Sequence, residues 1–119
     1  MTDDETLGEQ LAGWGKVALV ETRGRISGRP VRTAVGFWQA ADGALYAAAG
    51  SQAADWALNL RADPRCTVVI GEQTADCEAL EVEGDERAAA LRELILKYGT
   101  PAERLGLGPV FRLSHAQTG

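Results

Sequence analysis

Apolar and polar residues alternate along most of this 119-residue chain with the period of two that is typical of β-strands, and three segments show the longer period of helices. Six strands are predicted, over Lys16–Thr22, Pro30–Ala40, Ala44–Ala49, Arg65–Gly71, Thr74–Glu83 and Pro109–Ser114. Helices are predicted over Thr6–Trp14, over a short segment that carries Trp56, Asn59 and Leu60 and ends before Pro64, and over Asp85–Tyr98.

The order of these segments predicts a mainly β fold with flanking helices. Most strands are joined by short turns, and the βαβ alternation that builds a doubly wound parallel sheet is missing from the pattern. We therefore expect a six-stranded antiparallel β-barrel. In the fifth strand the polar positions change parity near Ala79–Leu80, which predicts a β-bulge that bends the strand into the barrel.

Composition indicates one globular domain over residues 1–119, with about 1–5 and 116–119 frayed. The net charge of -5 argues against a nucleic-acid partner, because phosphate contacts need basic surfaces. No apolar run has membrane-spanning length, and the acidic Thr2–Glu5 is unlike a secretory leader, so we expect a cytoplasmic protein. In such a compartment we expect Cys66 and Cys77 to be buried, reduced thiols, and a cross-strand disulfide is the alternative.

The segment Thr22–Arg32 is the most informative part of the chain, because four arginines flank a predicted hairpin turn at Ser27–Gly28. Guanidinium groups that converge on one point can bind a phosphate or a carboxylate with paired hydrogen bonds. Four of them in an acidic protein predict an anion site. The alternative is a solvated basic hairpin.

The sequence contains no convincing catalytic set. His115 is the only histidine, so a Ser-His-Asp triad would have to use it, and no nucleophile motif accompanies it. Two cysteines without ligand spacing argue against a zinc site, and we expect no metal. An anion site without catalytic side chains suits a cofactor that carries the chemistry while the protein orients it.

Three segments together resemble the deazaflavin-dependent nitroreductase family, which belongs to the flavin-binding split β-barrels related to pyridoxamine-phosphate oxidase. They are Thr22–Pro30, Ala48–Ser51 and Trp56–Pro64. The resemblance implies an oxidoreductase that binds coenzyme F420, or FMN in relatives, and moves a hydride between the cofactor and a small electrophilic acceptor. Alternatives are an FMN- or haem-type split-barrel protein and a non-catalytic ligand-binding member of the fold.

The resemblance also implies a set of cofactor-binding residues, while catalytic residues stay unassigned. Basic residues and a serine of the first hairpin would hold the phosphate and tail: Arg23, Arg25, Ser27, Arg29 and Arg32. Ala49, Gly50 and Ser51 would line the ring, and Trp56 and Asn59 would lie beneath it, although Trp56 fits equally well as a core residue. Four arginines favour the multiply charged tail of F420 over FMN.

Three departures from the family pattern limit the resemblance, and one of them is a loop between Ser51 and Trp56 that is shorter and lacks the family's lysine. Ile26 replaces a basic residue that often follows the motif arginine, and the region after Tyr98 lacks the tyrosines that shape the family's substrate pocket.

Assembly is a separate prediction. The continuous apolar run Val17–Val20 and Trp38 indicate more apolar sheet surface than one small barrel can cover, so we expect a homodimer with the cofactor site near its interface.

Overall fold

The computed structural model describes residues 17–98 and 107–115. Seven strands are present in these ranges: β1 (Ala18–Arg23), β2 (Pro30–Val35), β3 (Phe37–Gln39), β4 (Leu45–Ala48), β5 (Arg65–Ile70), β6 (Gln73–Val82) and β7 (Val110–His115). Two helices accompany them: α1 (Asp55–Ala62) and α2 (Gly84–Tyr98). The helix predicted over Thr6–Trp14 and both predicted frayed ends lie outside the described residues.

The strands form one antiparallel sheet in the order β2-β1-β5-β6-β7-β4-β3. β2 and β3 follow each other in the chain yet occupy opposite edges of this sheet, so the sheet curls until its two edges come close. The prediction of a mainly β, curled antiparallel barrel is confirmed. The strand count is seven rather than six, because the segment predicted as one strand, Pro30–Ala40, is divided at Gly36.

The end of α2 explains the division at Gly36. The Tyr98 ring lies against Gly36, and a β-carbon there would come within 3.1 Å of the ring. The Tyr98 hydroxyl accepts a hydrogen bond from the Phe37 N–H at 3.1 Å. Lys97 donates to the Phe37 carbonyl at 2.8 Å, and its ammonium lies 3.5 Å from the centre of the Phe37 ring. These contacts hold the chain where it passes from one sheet edge to the other.

Apolar residues are buried on both sides of the sheet. Inside the barrel, Val20, Val68, Phe111 and Leu113 pack with Trp56, Ala57 and Leu60 of α1. Outside it, Ala90 and Leu94 of α2 pack on Tyr46, Ala48, Val82 and Val110. Neither described helix is long and apolar enough to cross a membrane.

The predicted bulge in β6 is not found. The strand keeps one register with β5 and one with β7 along its whole paired length. The change in polarity near Leu80 has another cause, since Cys77 faces the barrel interior whereas Val82 faces outward and is buried beneath α2. A strand covered on different faces along its length breaks the simple alternation without any extra residue.

Candidate functional site

The hairpin between β1 and β2 carries the basic segment. Arg23 pairs with Pro30, so the connection is the six-residue loop Gly24–Arg29 and not the two-residue turn expected from the sequence. The Gly24 N–H donates to the Arg29 carbonyl, and the Gly28 N–H donates to the Gly24 carbonyl, both at 2.8 Å. Gly28 has the expected positive φ, at 73°. We call residues 24–29 the hairpin loop.

Arg25 ties the hairpin loop to α1. Its backbone N–H and its Nη1 both donate to Oδ1 of Asn59, at 3.2 and 2.8 Å. Its Nη2 lies 3.2 Å from Oδ1 of Asp55, one helical turn before Asn59. The Arg25 guanidinium is therefore engaged by protein acceptors.

Asn59 is the centre of this attachment. Its side chain is buried, with 2% of its surface exposed, and its Nδ2 donates to Oγ1 of the buried Thr22 at 3.1 Å. The two ends of one carboxamide thus hold Arg25 on one side and β1 on the other. Since a buried amide is costly unless its groups are paired, this network fixes the loop on the barrel.

A groove of about 550 Å³ runs beside the hairpin loop. Among its lining residues are Arg23, Gly28, Asp63, Arg65 and Cys66. A second cavity, of about 360 Å³, lies under the loop and shares Arg23, Gly28 and Asp63 with it. We call the two together the hairpin groove.

Charges in the hairpin groove are only partly neutralised. Two hydrogen bonds of 3.1 Å from the Arg65 guanidinium hold the Asp63 carboxylate and lower its pKa. Within residues 17–98 and 107–115, the guanidinium groups of Arg23 and Arg29 make no hydrogen bond or ion pair. Arg23 lines the groove, and Arg29 is exposed at the end of the loop. These two side chains are the ones available to an anion.

The structure separates the remaining predicted site residues into different environments. Arg32 lies outside the barrel, 3.5 Å from Glu21, and Ser27 lines the cavity under the loop, where its Oγ accepts from the Arg29 N–H. Ala49 is buried and donates its N–H to Pro109, whereas Gly50 is exposed with open space around it. The Ser51 hydroxyl accepts from the Ala53 N–H in the turn before α1.

Trp56 belongs to the core and not to an open surface. It is 6% exposed, and its ring lies 5.8 Å from that of Phe111. Sequence reasoning missed Asp55 and Thr22, which complete the attachment of the loop. The spacing of Asp55 and Asn59, four residues apart on one helix, was the available signal for two acceptors on one face.

The family is decided by comparison with known proteins. The model of the F420H(2)-dependent quinone reductase family matches residues 1–103. The chain belongs to this family. It is accordingly an oxidoreductase enzyme, and its cofactor is F420. No match to a curated protein was found.

Solved structures agree with the fold. An F420-H2 dependent reductase (FDR-A) is 25% identical with a TM-score of 0.71, over 83% of this chain and 94% of that one. A structure described as a domain-swapped dimer is 23% identical with a TM-score of 0.72, over 92% and 96%. The haem storage protein HutZ from Vibrio cholerae is 21% identical with a TM-score of 0.73, over 98% and 92%. The last two show the fold alone.

Arg23 fits the anionic part of F420, in a groove that Glu21, Asp63 and Asp76 also line. Arg23 offers a guanidinium without a hydrogen-bonded partner among the described residues, and the groove leaves room beside it. The loop that carries it is fixed by Arg25 and Asn59, so little order has to be created when an anion binds.

Proposed function

We propose that this protein uses reduced F420 to reduce a small electrophilic acceptor of the quinone class. The hairpin groove supports this proposal, since it combines an available guanidinium at Arg23 with a loop already fixed to the barrel. F420 supplies the hydride when it is bound. The side chains of the groove bind and orient, which agrees with the lack of a catalytic set in the sequence.

Arg23 and Arg29 have the direct binding role in this proposal. Each can donate two hydrogen bonds to a phosphate or carboxylate of the cofactor. Arg25 acts differently, because its donors are directed to Asn59 and Asp55, so it positions the loop. Gly50 and Ser51 are proposed to contact the ring through their backbone, as Gly50 leaves open space on an exposed segment. Trp56 packs in the core beneath the site, and Asn59 holds the hairpin loop through Arg25.

The test is a fluorescence titration with F420 of the parent protein and of three single variants. Arg23→Ala and Arg29→Ala should each weaken binding by roughly tenfold to a hundredfold, the value of a hydrogen bond to a charged group. Arg92→Ala is the control, because Arg92 is an exposed arginine on α2 that does not line the hairpin groove, and it should bind like the parent. Affinity should also fall as salt is added. Unchanged binding in both Arg23→Ala and Arg29→Ala would remove the groove as the anion site.

FMN, titrated in the same way, tests the cofactor ranking, and we expect weaker binding than for F420. The acceptor is tested by following oxidation of reduced F420 with menadione and with a nitroaromatic compound. We expect turnover with menadione. Oxidation by the nitro compound alone would assign the acceptor class of the nitroreductases instead.

We also propose that two copies form a homodimer through the outer face of β1, β2 and β5, in a reducing, cytoplasmic setting. The described helix α2 packs on the other half of the sheet, and Leu19 and Val69 remain partly exposed as direct neighbours on this face. Glu21 and Arg32 lie beside them with opposite charges. A partly apolar face with paired charges suits a symmetric contact.

A further inference from the structure

Four residues form one row across neighbouring strands of the barrel: the buried Thr22, Cys66 and Cys77, and the exposed His115 at the end of β7. Cys66 and Cys77 are directly opposite each other, 7% and 3% exposed, and both are free thiols. The proposed reduction of an acceptor uses neither of them. Two opposed thiols in register with the only histidine of the chain form a second cluster of reactive side chains, chemically distinct from the arginines of the proposed anion site.

Backbone pairing gives the geometry of the row. The Ala79 N–H donates to the Pro64 carbonyl at 2.8 Å, which makes that pair hydrogen-bonded. Because hydrogen-bonded and non-hydrogen-bonded pairs alternate, Cys66 and Cys77 are also a hydrogen-bonded pair, with Cα atoms about 5.5 Å apart. A disulfide spans Cα separations of about 4.4–6.8 Å, so the Cα separation of this pair falls within that range. The β-carbons of a hydrogen-bonded pair are wider apart than those of a disulfide, so the two side chains must move together when the bond forms.

His115 stands on the other side of Cys77. The backbone groups of Cys77 point to β5, so its pair with His115 is the non-hydrogen-bonded kind, in which side chains are closest. The Cys77 thiol donates to the Ala75 carbonyl at 3.8 Å, so His115 has to compete with that acceptor for the proton. An imidazole that takes the proton of a thiol generates the nucleophilic thiolate. Cys66 has no such neighbour among the residues of its row.

Small oxidants can approach Cys77 from the barrel mouth. Cys77 and His115 both line a second cavity there, of about 380 Å³, and Cys66 is not among its lining residues. Cys77 is thus the thiol with the nearer opening.

We propose that Cys77 and Cys66 form a reversible disulfide when the protein meets a hydroperoxide, with Cys77 as the attacking sulfur and His115 as the acceptor of its proton. The Cys77 thiolate attacks one peroxide oxygen, the O–O bond breaks, and Cys77 becomes a sulfenic acid. For hydrogen peroxide the leaving hydroxide takes the proton from His115 and departs as water. Cys66 then attacks the Cys77 sulfur, the S–OH bond breaks, and a second water leaves.

Electrons balance in this sequence, since two thiols lose two electrons and two protons and the peroxide is reduced to two waters. Burial raises the pKa of both thiols, that of Cys66 to about 12. Neither sulfur is therefore a spontaneous thiolate at neutral pH, and the proton acceptor beside Cys77 decides which of them reacts first.

The experiment treats the reduced, full-length protein with hydrogen peroxide, blocks remaining thiols by alkylation, and maps the products by mass spectrometry. We expect a monomer that has lost two hydrogen atoms, a linked peptide joining Cys66 to Cys77, and full reversal by dithiothreitol. Irreversible sulfinic acid, a disulfide between two chains, or two thiols that remain alkylable would each overturn the proposal. This measurement needs no variant and does not depend on F420.

Three variants assign the roles. Cys66→Ser should stop at the sulfenic acid and give a dimedone adduct on Cys77, whereas Cys77→Ser should leave Cys66 reduced. His115→Gln should slow disulfide formation by at least about tenfold while the final product stays the same. An adduct on Cys66 in Cys77→Ser, or an unchanged rate in His115→Gln, contradicts these assignments. Circular dichroism checks each fold, and alanine replaces serine if a serine variant unfolds.

Discussion

The Asn59 carboxamide joins three segments of the molecule at the scale of single residues: α1, the hairpin loop and β1. Asn59→Ala leaves the Arg25 N–H and the Thr22 hydroxyl without their partner. We expect the free energy of unfolding to fall by about 1–3 kcal/mol, the cost of unsatisfied buried polar groups, and F420 affinity to fall with it. Urea unfolding and F420 titration measure the two effects.

Gln52→Ala is the control for this change, because Gln52 is an exposed polar residue just before the same helix. It should alter stability by less than about 0.5 kcal/mol and leave binding unchanged. Equal effects of Asn59→Ala and Gln52→Ala would show that Asn59 does not hold the loop.

Cys66 gives a prediction about pH. Burial raises its pKa from 9.0 to about 12, so the folded state binds the thiol proton more tightly than the unfolded state does. The resulting stability is complete below about pH 9 and is lost as the pH rises from there toward 12. Burial raises the pKa of Tyr46 as well, with the same sign. Unfolding followed between pH 7 and 10.5 should show a smaller decline in Cys66→Ala than in the parent protein.

The basic loop was predictable from the sequence, because four arginines and two glycines between apolar runs leave little choice of structure. The sequence could not predict which arginine is available to an anion. Arg25 looks like its neighbours in the sequence, and only the approach of α1 shows that Asp55 and Asn59 engage it while Arg23 keeps open donors. Long-range partners of this kind leave no local pattern.

Strands and helices were predicted well where a face is buried evenly, as in β1 and β5. Prediction failed where a different element covers the chain. Tyr98 divides one predicted strand at Gly36, and α2 covers Val82 in what resembled a bulge. Both effects come from a helix that is distant in sequence, so the alternation along a single strand cannot reveal them.

The contact between the segment before β7 and the end of β4 gives a prediction at the scale of elements. A β-carbon at Gly108 would overlap the Ala49 carbonyl and come within 2.8 Å of the Ser51 nitrogen. Gly108→Ala should therefore separate the two segments and lower stability by about 1–3 kcal/mol, the usual cost of overpacking. Gly50→Ala, which meets open space, is the control. Thermal midpoints that fall equally in both variants would contradict this account.

Assembly is the prediction at the scale of the whole molecule. Light scattering at micromolar concentration should give the mass of a dimer, and Val69→Lys should shift it toward the monomer by placing a charge in the proposed interface. Leu96→Lys is the control, since Leu96 is an exposed apolar residue on α2, away from that face. A dimer broken by Leu96→Lys and not by Val69→Lys would move the interface to the helix.

The sheet order has a consequence for how the chain is made. β7 comes last of the described strands yet lies between β6 and β4, so it alone joins the β2-β1-β5-β6 half of the sheet to the β4-β3 half. During synthesis the two halves of the sheet cannot pair with each other, and each keeps an unpaired edge, until β7 has left the ribosome. Chains that stall before β7 would therefore expose two unpaired strand edges at once, and such edges can pair with other chains. We expect nascent copies of this protein to depend on chaperones until β7 has been made.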